Sequence, residues 1–428
     1  MSEFEKDVFK IKIDEVNING EGVGFLQDNI KVCVKNVLPG EVVKVKSIFK
    51  KNNFIKAELI EVLESNQNRI KPVCPYFSLC GGCDYQQLKN VDAIKQKKQI
   101  FENYFKDIYA KEIEFIDNNK PFEYRNKASF VVKNGKVGFQ KEGSNNIVEI
   151  ENCCIVKPEI NKVLSIFRKW LNLTKEENVN HIVIRVLNKK LIITIVCAST
   201  IKKVDLLVEK IKECFKDNFF GVYLNFNSSK NKILGDKWKH IYGLKVLEDV
   251  FDDVKYSVHP NSFMQINDEV RNILYKSVQE EIKNEVVIEG YSGAGLLSGI
   301  LCKTAKEVIG VEINKNATEN ANKLKEENNL TNLQNINGDC KNVLPVLAKK
   351  YKSAIFVIDP PRSGCDQNTL QSLKDNYISK VVYVSCNPYT LKQNLRFLSD
   401  IFNVEKIKMF NMFPNTSEVE TLAVLSRK

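Results

Sequence analysis

The sequence has no run of about 18 apolar residues, which is the length that a helix needs to cross a membrane. Residues 1–7 are mostly polar and acidic, so we expect no apolar secretory leader. We therefore expect no membrane partner and a cytoplasmic location. The chain also lacks the low hydrophobic content of disordered proteins, because 43% of its 428 residues are hydrophobic. A chain of this length and composition can form two or three domains, each with a hydrophobic core.

Acidic residues are fewer than basic ones, and the 53 Asp and Glu against 64 Lys and Arg leave a net charge of +11. This excess suits a polyanionic partner, although a solvated, lysine-rich surface gives the same count. In a reducing cytoplasm, disulfides are not expected. The 12 cysteines are therefore predicted to be thiols or metal ligands.

Residues 1–65 are predicted to form a small β-barrel of OB type, because five short strand patterns follow one another with turns between them. Residues 31–56 contain seven lysines and one acid, and Phe49 and Phe54 stand among those lysines. Basic charge with aromatic side chains is typical of single-stranded RNA binding. The alternative is a solvated basic face over two core phenylalanines.

Three cysteines, Cys74, Cys80 and Cys83, lie within ten residues, and a pair of glycines between them lets the backbone fold closely around a ligand. A structural metal needs a fourth ligand, which Cys153 or Cys154 can supply. All-thiolate ligation fits zinc or an iron–sulfur cluster, and the spacing does not decide between them. The spacing does argue against a radical enzyme's cluster, whose first two cysteines stand closer together.

Residues 66–255 are predicted to form an α+β domain. Helical patterns near residues 90–120 and 158–171 alternate there with strand patterns. Arg125 and Lys127, which precede one of the strands, are candidate phosphate contacts or ordinary surface charges.

Residues 256–428 are predicted to form a Rossmann-like α/β domain, because strand and helix patterns alternate throughout. One strand runs into a glycine-rich turn at 290–295, the next ends in Glu312, and Asp339 follows the third. An acid at the position of Glu312 binds ribose hydroxyls in NAD enzymes and in methyltransferases that use S-adenosylmethionine (SAM). Asp359, which two prolines follow at the end of the fourth strand, favours the methyltransferase.

Cys386 stands at the carboxyl end of a β-branched strand pattern, in front of a predicted helix with Pro388 in its first turn. Open α/β sheets place ligands at this point, and the N–H groups of a helix terminus favour a thiolate. By position alone, a buried structural cysteine remains the alternative.

Several motifs follow one another along nearly the whole chain. They are the three cysteines with Cys153, Ser-Phe-Met-Gln-Ile-Asn at 262–267, Tyr-x-Gly-x-Gly at 291–295, Asp-Pro-Pro-Arg at 359–362, Ser-Cys-Asn-Pro at 385–388 and Val-Glu-Thr at 419–421. In this order they resemble the SAM-dependent RNA uridine-C5 methyltransferases, specifically the branch with a TRAM domain and an iron–sulfur cluster (RlmD-like, within the TrmA superfamily). The resemblance implies a class I methyltransferase sheet, a [4Fe–4S] cluster and ribosomal RNA as substrate, and we expect a monomer.

The resemblance also assigns roles by position. Cys386 would be the nucleophile and Glu420 the base that removes the C5 proton. The positions matched to the SAM site are Gln265, Tyr291, Glu312 and Asp359. From the nucleotide-binding pattern we also expect Gly293 and Gly295 of the turn, and Asp339 after the third strand, to contact SAM. On the substrate side, the resemblance implies that Asp359 would also face the uracil. Apart from the resemblance, we expect Phe263 to stack on a base flipped out of the RNA. Arg125 and Lys127 remain candidate phosphate contacts or ordinary surface charges. Cys74, Cys80, Cys83 and Cys153 would hold the cluster, with Cys153 preferred over Cys154.

The chain departs from the family pattern at two places. The usual Asp-Leu-Tyr-Cys-Gly turn is Glu289-Gly290-Tyr291-Ser292-Gly293 here, and Glu418 stands where a histidine is common. Neither change touches the nucleophile or the base.

Three other functions fit parts of the pattern. Asp-Pro-Pro also opens an amino-methylase motif, but Arg362 stands where that motif has an aromatic residue, and Cys386 would have no role. A tRNA uridine is an alternative substrate. A non-catalytic, cluster-containing RNA-binding protein is the third, and the altered glycine turn is its only support.

Overall fold

The computed structural model describes residues 8–141, 143–229 and 232–428, so the N-terminal residues 1–7 lie outside the described part. The chain divides into two compact units. The first comprises residues up to 112 with 140–148 and 413–418, and the second comprises 113–139, 149–412 and 419–428. The predicted domain boundaries near residues 65 and 255 stay a prediction.

The elements are named in chain order. The strands are β1 Val8–Lys12, β2 Glu15–Val16, β3 Gly22–Phe25, β4 Lys31–Val34, β5 Val42–Lys51, β6 Phe54–Glu64, β7 Glu114–Ile116, β8 Lys127–Lys133, β9 Lys136–Gln140, β10 Ile147–Glu149, β11 Val179–Leu187, β12 Lys190–Cys197, β13 Phe220–Phe226, β14 Lys237–Gly243, β15 Leu247–Phe251, β16 Val254–Val258, β17 Val286–Gly290, β18 Glu307–Glu312, β19 Leu333–Asn337, β20 Ile355–Ile358, β21 Lys380–Ser385, β22 Phe402–Phe410 and β23 Glu420–Arg427. The α-helices are α1 Asn90–Phe105, α2 Pro158–Thr174, α3 Val204–Lys212, α4 Asp268–Gln279, α5 Leu296–Leu301, α6 Lys315–Glu327, α7 Cys340–Lys350, α8 Gln367–Asp375 and α9 Pro388–Leu398.

The first six strands form one sheet in the order β1-β5-β6-β4-β3-β2. All five predicted strands are present, and the two-residue β2 is additional. The backbone of β3 approaches β1 closely, because a Cβ added at Gly24 would lie 2.1 Å from the Lys12 carbonyl oxygen. Just beyond β1, the Asp14 N–H donates to the Val23 carbonyl at 2.8 Å. The first strand and its continuation therefore touch both β5 and β3.

The central sheet has seven strands in the order β10-β9-β8-β11-β12-β13-β14. Helix α2 covers it with an apolar face of helical period; the buried residues of that face are Ile160, Val163, Leu164, Phe167, Trp170 and Leu171. Pro158 suits the first turn of α2, where its missing N–H costs nothing, and Lys175 ends the helix in a left-handed conformation. The predicted α+β character of this region is therefore seen.

The third sheet has eight strands in the order β19-β18-β17-β20-β21-β23-β22-β7. The five strands β17 to β21 are mutually parallel, whereas β23 runs antiparallel to both β21 and β22. Parallel strands covered on both faces are expected to be continuously apolar, and Val287, Ile309, Phe356 and Val382 are all fully buried. The predicted Rossmann-like pattern is therefore confirmed for this sheet.

Strand β7 was not predicted, because the helical pattern was expected to extend over residues 90–120. Helix α1 ends at Phe105 instead, and Glu114–Ile116 joins the edge of the third sheet beside β22. An ion pair of 3.0 Å between Lys408 and Glu114 links the two strands. In the described ranges, no helix combines the length and the apolarity that crossing a membrane requires.

Candidate active site

Cys386 lies where the sequence predicted it, directly after β21 and before α9. The turn is held locally: the Asn387 N–H donates to Ser385 Oγ at 3.1 Å, and Asn387 Oδ1 accepts from the Tyr389 N–H at 3.0 Å. Asn387 thus caps α9, and Pro388 takes its first position. The half-buried Cys386 thiol is consequently fixed at the carboxyl edge of the sheet, next to a helix N-terminus.

Glu420 is the first residue of β23 and is fully buried. In the antiparallel pair of β23 with β21, Thr421 lies opposite Ser385. One further step along this register brings Glu420 level with Cys386. The predicted base, at the start of β23, and the predicted nucleophile, one residue past the end of β21, therefore lie at the same height along the sheet.

Two more carboxyl groups lie at this edge of the sheet, each at the end of a parallel strand. Burial raises the pKa of Asp359, after β20, to about 7. Burial also raises the pKa of Glu289, in β17, to about 8, and the charges of Asp359 and Glu312 add to that rise. Tyr275 of α4 belongs to the same group, because burial and the charges of Asp359, Glu289 and Glu420 raise its phenol pKa. These groups share one weakly solvated region, in which the charge of Asp359 disfavours the ionisation of both Glu289 and Tyr275.

The glycine turn between β17 and α5 has the backbone that nucleotide-binding turns require. Tyr291, Gly293 and Gly295 adopt positive φ angles of 64°, 56° and 79°. A Cβ at Gly295 would lie 2.8 Å from the Ala321 side chain, so helix α6 packs directly on the turn. Glu312 Oε2 accepts from the Gly293 N–H at 2.9 Å, which ties the end of β18 to the turn.

A cavity opens between this turn and the segment before α4. Four predicted residues line it: Phe263, Tyr291, Gly293 and Asp359. Lining residues that sequence reasoning missed are Tyr256, Ser257, Val258, Ser262, Met264, Tyr275, Glu289, Ser292, Ala294, Leu296 and Leu297. Among these, Glu289 and Ser292 were named only as departures from the family turn, and Ser262 and Met264 only as parts of a motif.

The other residues matched to the SAM site lie around this cavity without lining it. Gln265 is buried, and its carbonyl oxygen accepts from Asn126 Nδ2 at 3.0 Å. Gly295 caps α5. Asp339 caps α7, and hydrogen bonds from the Lys341 side chain and backbone lower its carboxyl pKa. Their roles in SAM binding stay a prediction.

The substrate-side candidates lie on the segment that precedes α4 and on the central sheet. Phe263 is 78% exposed beside the cavity, and its stacking on a flipped base stays a prediction. Lys127 lies opposite Arg185 in the pairing of β8 with β11. Burial, together with the charges of Arg185 and Arg125, lowers the pKa of the Lys127 ammonium to about 7.

The predicted metal ligands divide between the two units. In the first unit, Gln86 links Cys74 and Cys83: its Oε1 accepts from the Cys74 N–H at 3.0 Å, and its Nε2 lies 3.2 Å from Cys83 Sγ. Burial and the charge of Cys74 raise the pKa of the Cys80 thiol. Cys153 belongs to the second unit.

No arrangement of three or more His, Cys, Asp or Glu side chains suited to a metal ion occurs among the described residues. The [4Fe–4S] cluster is therefore not supported by this geometry and stays a prediction. The chemistry of the donors still fits, since three thiols lie in one short segment and Cys74 acts electrostatically on Cys80.

Comparison with known families gives two matches. The family described as tRNA (Uracil-5-)-methyltransferase matches residues 89–428, and the TRAM domain matches residues 4–60. An uncharacterised RNA methyltransferase of Caldanaerobacter subterraneus subsp. tengcongensis is 33% identical over 446 residues, covering 98% of each chain. Another, from Clostridium acetobutylicum, is 31% identical over 446 residues, covering 98% of this chain and 97% of that protein.

Among solved structures, the chain is similar to the Pyrococcus abyssi tRNA (uracil-54, C5)-methyltransferase in complex with S-adenosyl-L-homocysteine. The TM-score is 0.81 over 97% of this chain and 100% of that chain, at 23% sequence identity. At this identity the likeness shows the fold, which is that of a class I SAM-dependent methyltransferase with an N-terminal TRAM domain.

Proposed function

Because the chain belongs to the tRNA (uracil-5-)-methyltransferase family of SAM-dependent RNA methyltransferases, we propose that it methylates C5 of a uridine in 23S ribosomal RNA through a covalent adduct with Cys386. The observation that carries the mechanism is the register of β21 and β23, which brings Glu420 level with Cys386 at the edge where Asp359 also lies. We also propose that the protein works in the cytoplasm as a monomer.

The first step is activation of the ring, since uracil C5 is a poor nucleophile. The Cys386 thiolate adds to C6, a C–S bond forms, and the ring electrons move towards C5 and O4 as an enolate. C5 then attacks the methyl group of SAM in line. The methyl–sulfur bond breaks, and S-adenosylhomocysteine leaves with that electron pair.

The second step restores the aromatic-like ring. Glu420 takes the proton from C5, and the freed electron pair forms the C5–C6 double bond as the bond to Cys386 Sγ breaks. The thiolate is thereby regenerated, and the proton remains on Glu420 until solvent removes it. The apolar environment of Glu420 suits this task, because a buried carboxylate is a stronger base than an exposed one.

Asp359 and Phe263 position the base in this mechanism. Asp359, with a pKa near neutrality, can hydrogen-bond to the polar edge of uracil in either protonation state. The exposed ring of Phe263 offers a stacking surface to a base that has left the RNA helix. Both residues line the same cavity, which supports simultaneous contact with one nucleotide.

The remaining proposals concern the cofactors and the first unit. SAM would lie against the glycine turn with Glu312 near its ribose, and Gln265, Tyr291 and Asp339 nearby. A [4Fe–4S] cluster would be held by the four predicted cysteines, and no catalytic step depends on it. The TRAM sheet would close as an OB-like barrel and bind RNA; its exposed Phe49 lies 6.5 Å from Phe54 between ring centroids, on the lysine-rich strands.

A transfer RNA uridine is the second candidate substrate. It is favoured by the description of the matched family over residues 89–428. Ribosomal RNA is favoured by the resemblance of the cysteine segment and the TRAM domain to the branch that acts on ribosomal RNA.

Tritium release from RNA labelled with [5-³H]uridine tests the reaction. The native protein with SAM should release tritium, and Cys386→Ala should release none. Release that persists in Cys386→Ala would rule out the covalent mechanism. Mapping 5-methyluridine in ribosomal and transfer RNA from a strain without this gene then identifies the substrate, because only the target uridine loses its methyl group.

A further inference from the structure

Three cations meet on the central sheet beside the candidate active site. Lys127 and Arg185 are direct partners in the antiparallel pair of β8 and β11, so their side chains point to the same face. Arg125 precedes Lys127 by two residues, and its Nε donates to the Lys127 carbonyl at 3.0 Å. Both neighbours act on Lys127, because the charges of Arg185 and Arg125 contribute to the lowering of its pKa.

This cation cluster of Arg125, Lys127 and Arg185 has little negative charge to balance it. Among the described residues, Lys127 forms no ion pair, and Arg185 Nε and Nη1 have no hydrogen-bond acceptor although they are buried. The one carboxylate that acts on Arg185 is Asp268 of α4.

Asp268 is already engaged by other groups. It accepts from Asn126 Nδ2 at 2.7 Å and from the Lys157 ammonium, and Arg271 Nη1 lies 3.5 Å from it. The cations around this position therefore outnumber the available carboxylates. Burying like charges without a counter-ion is costly, which makes such a cluster a site prepared for an anion.

The cation cluster is joined to the segment that carries Phe263. Arg185 Nη2 donates to the Ser262 carbonyl at 2.6 Å, and the Arg125 backbone bridges to Asn267. The intervening Phe263 leaves 78% of its side chain exposed. An anion at Lys127 would consequently lie at the base of the segment on which the target nucleotide is proposed to stack.

We propose that Lys127, supported by Arg125 and by the buried charge of Arg185, binds one phosphodiester group next to the target uridine. Lys127 makes the direct contact, since its side chain is only partly buried, whereas Arg185 is 3% exposed. Arg185 stays fixed below it by its bond to Ser262 and contributes charge without moving. The inference rests on the proposed function, because it names the part of the RNA that this site holds while the base is turned towards Cys386.

This site couples RNA binding to a proton. Burial and the two neighbouring guanidinium groups lower the pKa of Lys127 to about 7, whereas the pKa of Arg185 falls only to about 10. Lys127 is therefore mostly neutral at pH 8, and a bound phosphate would draw a proton onto it. RNA affinity should fall as the pH rises from 7 to 9, by up to about tenfold per pH unit. In Lys127→Arg, which keeps its charge, this fall should disappear.

The decisive experiment uses a short RNA that carries the target uridine mapped in the cell. Each phosphate near that uridine is replaced in turn by a neutral methylphosphonate, and binding to native protein and to Lys127→Gln is measured. One replacement should weaken RNA binding by the native protein about tenfold and by Lys127→Gln less than twofold. The two changes remove the same contact, so their effects on the binding free energy do not add. Lys162→Gln, which removes an exposed lysine of α2, is the matched control and should keep the full loss.

The outcomes separate the two proposals. The native protein could methylate this RNA while every phosphate replacement weakens binding equally in the native protein and in Lys127→Gln. In that case Lys127 does not bind a phosphate, and the proposed function stands. If Lys127→Arg retains the same pH dependence as the native protein, the proton linkage is wrong as well. If the native protein does not methylate uridine in any RNA, both proposals fail together.

Discussion

Ser298 Oγ donates a hydrogen bond to the buried carboxyl group of Glu289, which lines the cavity. Glu289 occupies the position at which the turn of the family usually has an aspartate. The bond lowers the pKa of Glu289, but burial and the charge of Asp359 outweigh it, so the pKa is raised to about 8. At neutral pH this carboxyl group is therefore mostly protonated in the folded protein.

Glu289 should make the free energy of unfolding decrease as the pH rises. Its folded pKa of about 8 lies above the unfolded value, so between pH 5 and pH 8 the folded state binds the extra proton. The protonated carboxyl group contributes its full stabilisation below the unfolded pKa, and this contribution disappears as the pH rises through about 8. The free energy of unfolding should therefore fall by about 2 kcal/mol between pH 6 and pH 8. Glu289→Gln should flatten this part of the denaturation profile, whereas Glu285→Gln, a neighbour that is only partly buried, should not. Equal slopes in the native protein and Glu289→Gln would contradict the prediction.

The glycine turn offers a matched pair of substitutions. Gly293 and Gly295 both have positive φ angles, so alanine costs about 1–2 kcal/mol of backbone strain at each. Only at Gly295 does the new Cβ also meet a neighbour, 2.8 Å from the Ala321 side chain, while nothing lies within 4 Å at Gly293. Calorimetry should therefore show SAM affinity at least tenfold weaker in Gly295→Ala than in Gly293→Ala. An equal loss in the two variants would mean that helix α6 does not constrain the turn.

Much of this architecture could be predicted because it depends on local patterns. Continuous apolar runs specify the parallel strands, and punctuation by glycine and proline marks their ends, which placed Cys386 and Glu312 correctly. Strand β7 escaped notice because three residues are too few to show a period. Its pairing with β22 is decided by tertiary contact alone.

The residues that were missed depend on contacts between distant parts of the chain. Tyr275 looks like one more apolar position of an amphipathic helix, and only packing brings it close to Asp359, Glu289 and Glu420. Arg185 stands in the otherwise apolar second half of β11, which was a usable signal, because a charge inside such a run needs a partner. The split of the cysteines between two units is likewise invisible in their spacing.

Replacing Glu420 should stop the reaction after methyl transfer. Glu420→Gln keeps the size and burial of the side chain but cannot accept the C5 proton, so turnover should fall about 10²–10⁴-fold. Because elimination of Cys386 follows loss of that proton, methylated RNA should stay covalently bound and migrate with the protein on a denaturing gel. Glu418→Gln, two residues earlier, should form no lasting adduct. An inactive Glu420→Gln protein without an adduct would assign the base to another group.

The cysteines can be tested through metal content, independently of methylation. Single serine substitutions at Cys74, Cys80, Cys83 and Cys153 should each abolish iron binding. They should also remove the absorbance at about 400 nm that iron–sulfur clusters show. Cys154→Ser and Cys214→Ser should retain both, because Cys214 is exposed and Cys154 is the alternative that the family pattern disfavours. The backbone of Cys153 is already fixed by two hydrogen bonds with the Asn161 side chain, at 2.9 and 3.0 Å, which favours it as the preorganised ligand.

If EDTA removes the metal and the purified protein is colourless, the site holds zinc rather than a cluster. Loss of iron in Cys154→Ser with retention in Cys153→Ser would reverse the ligand assignment.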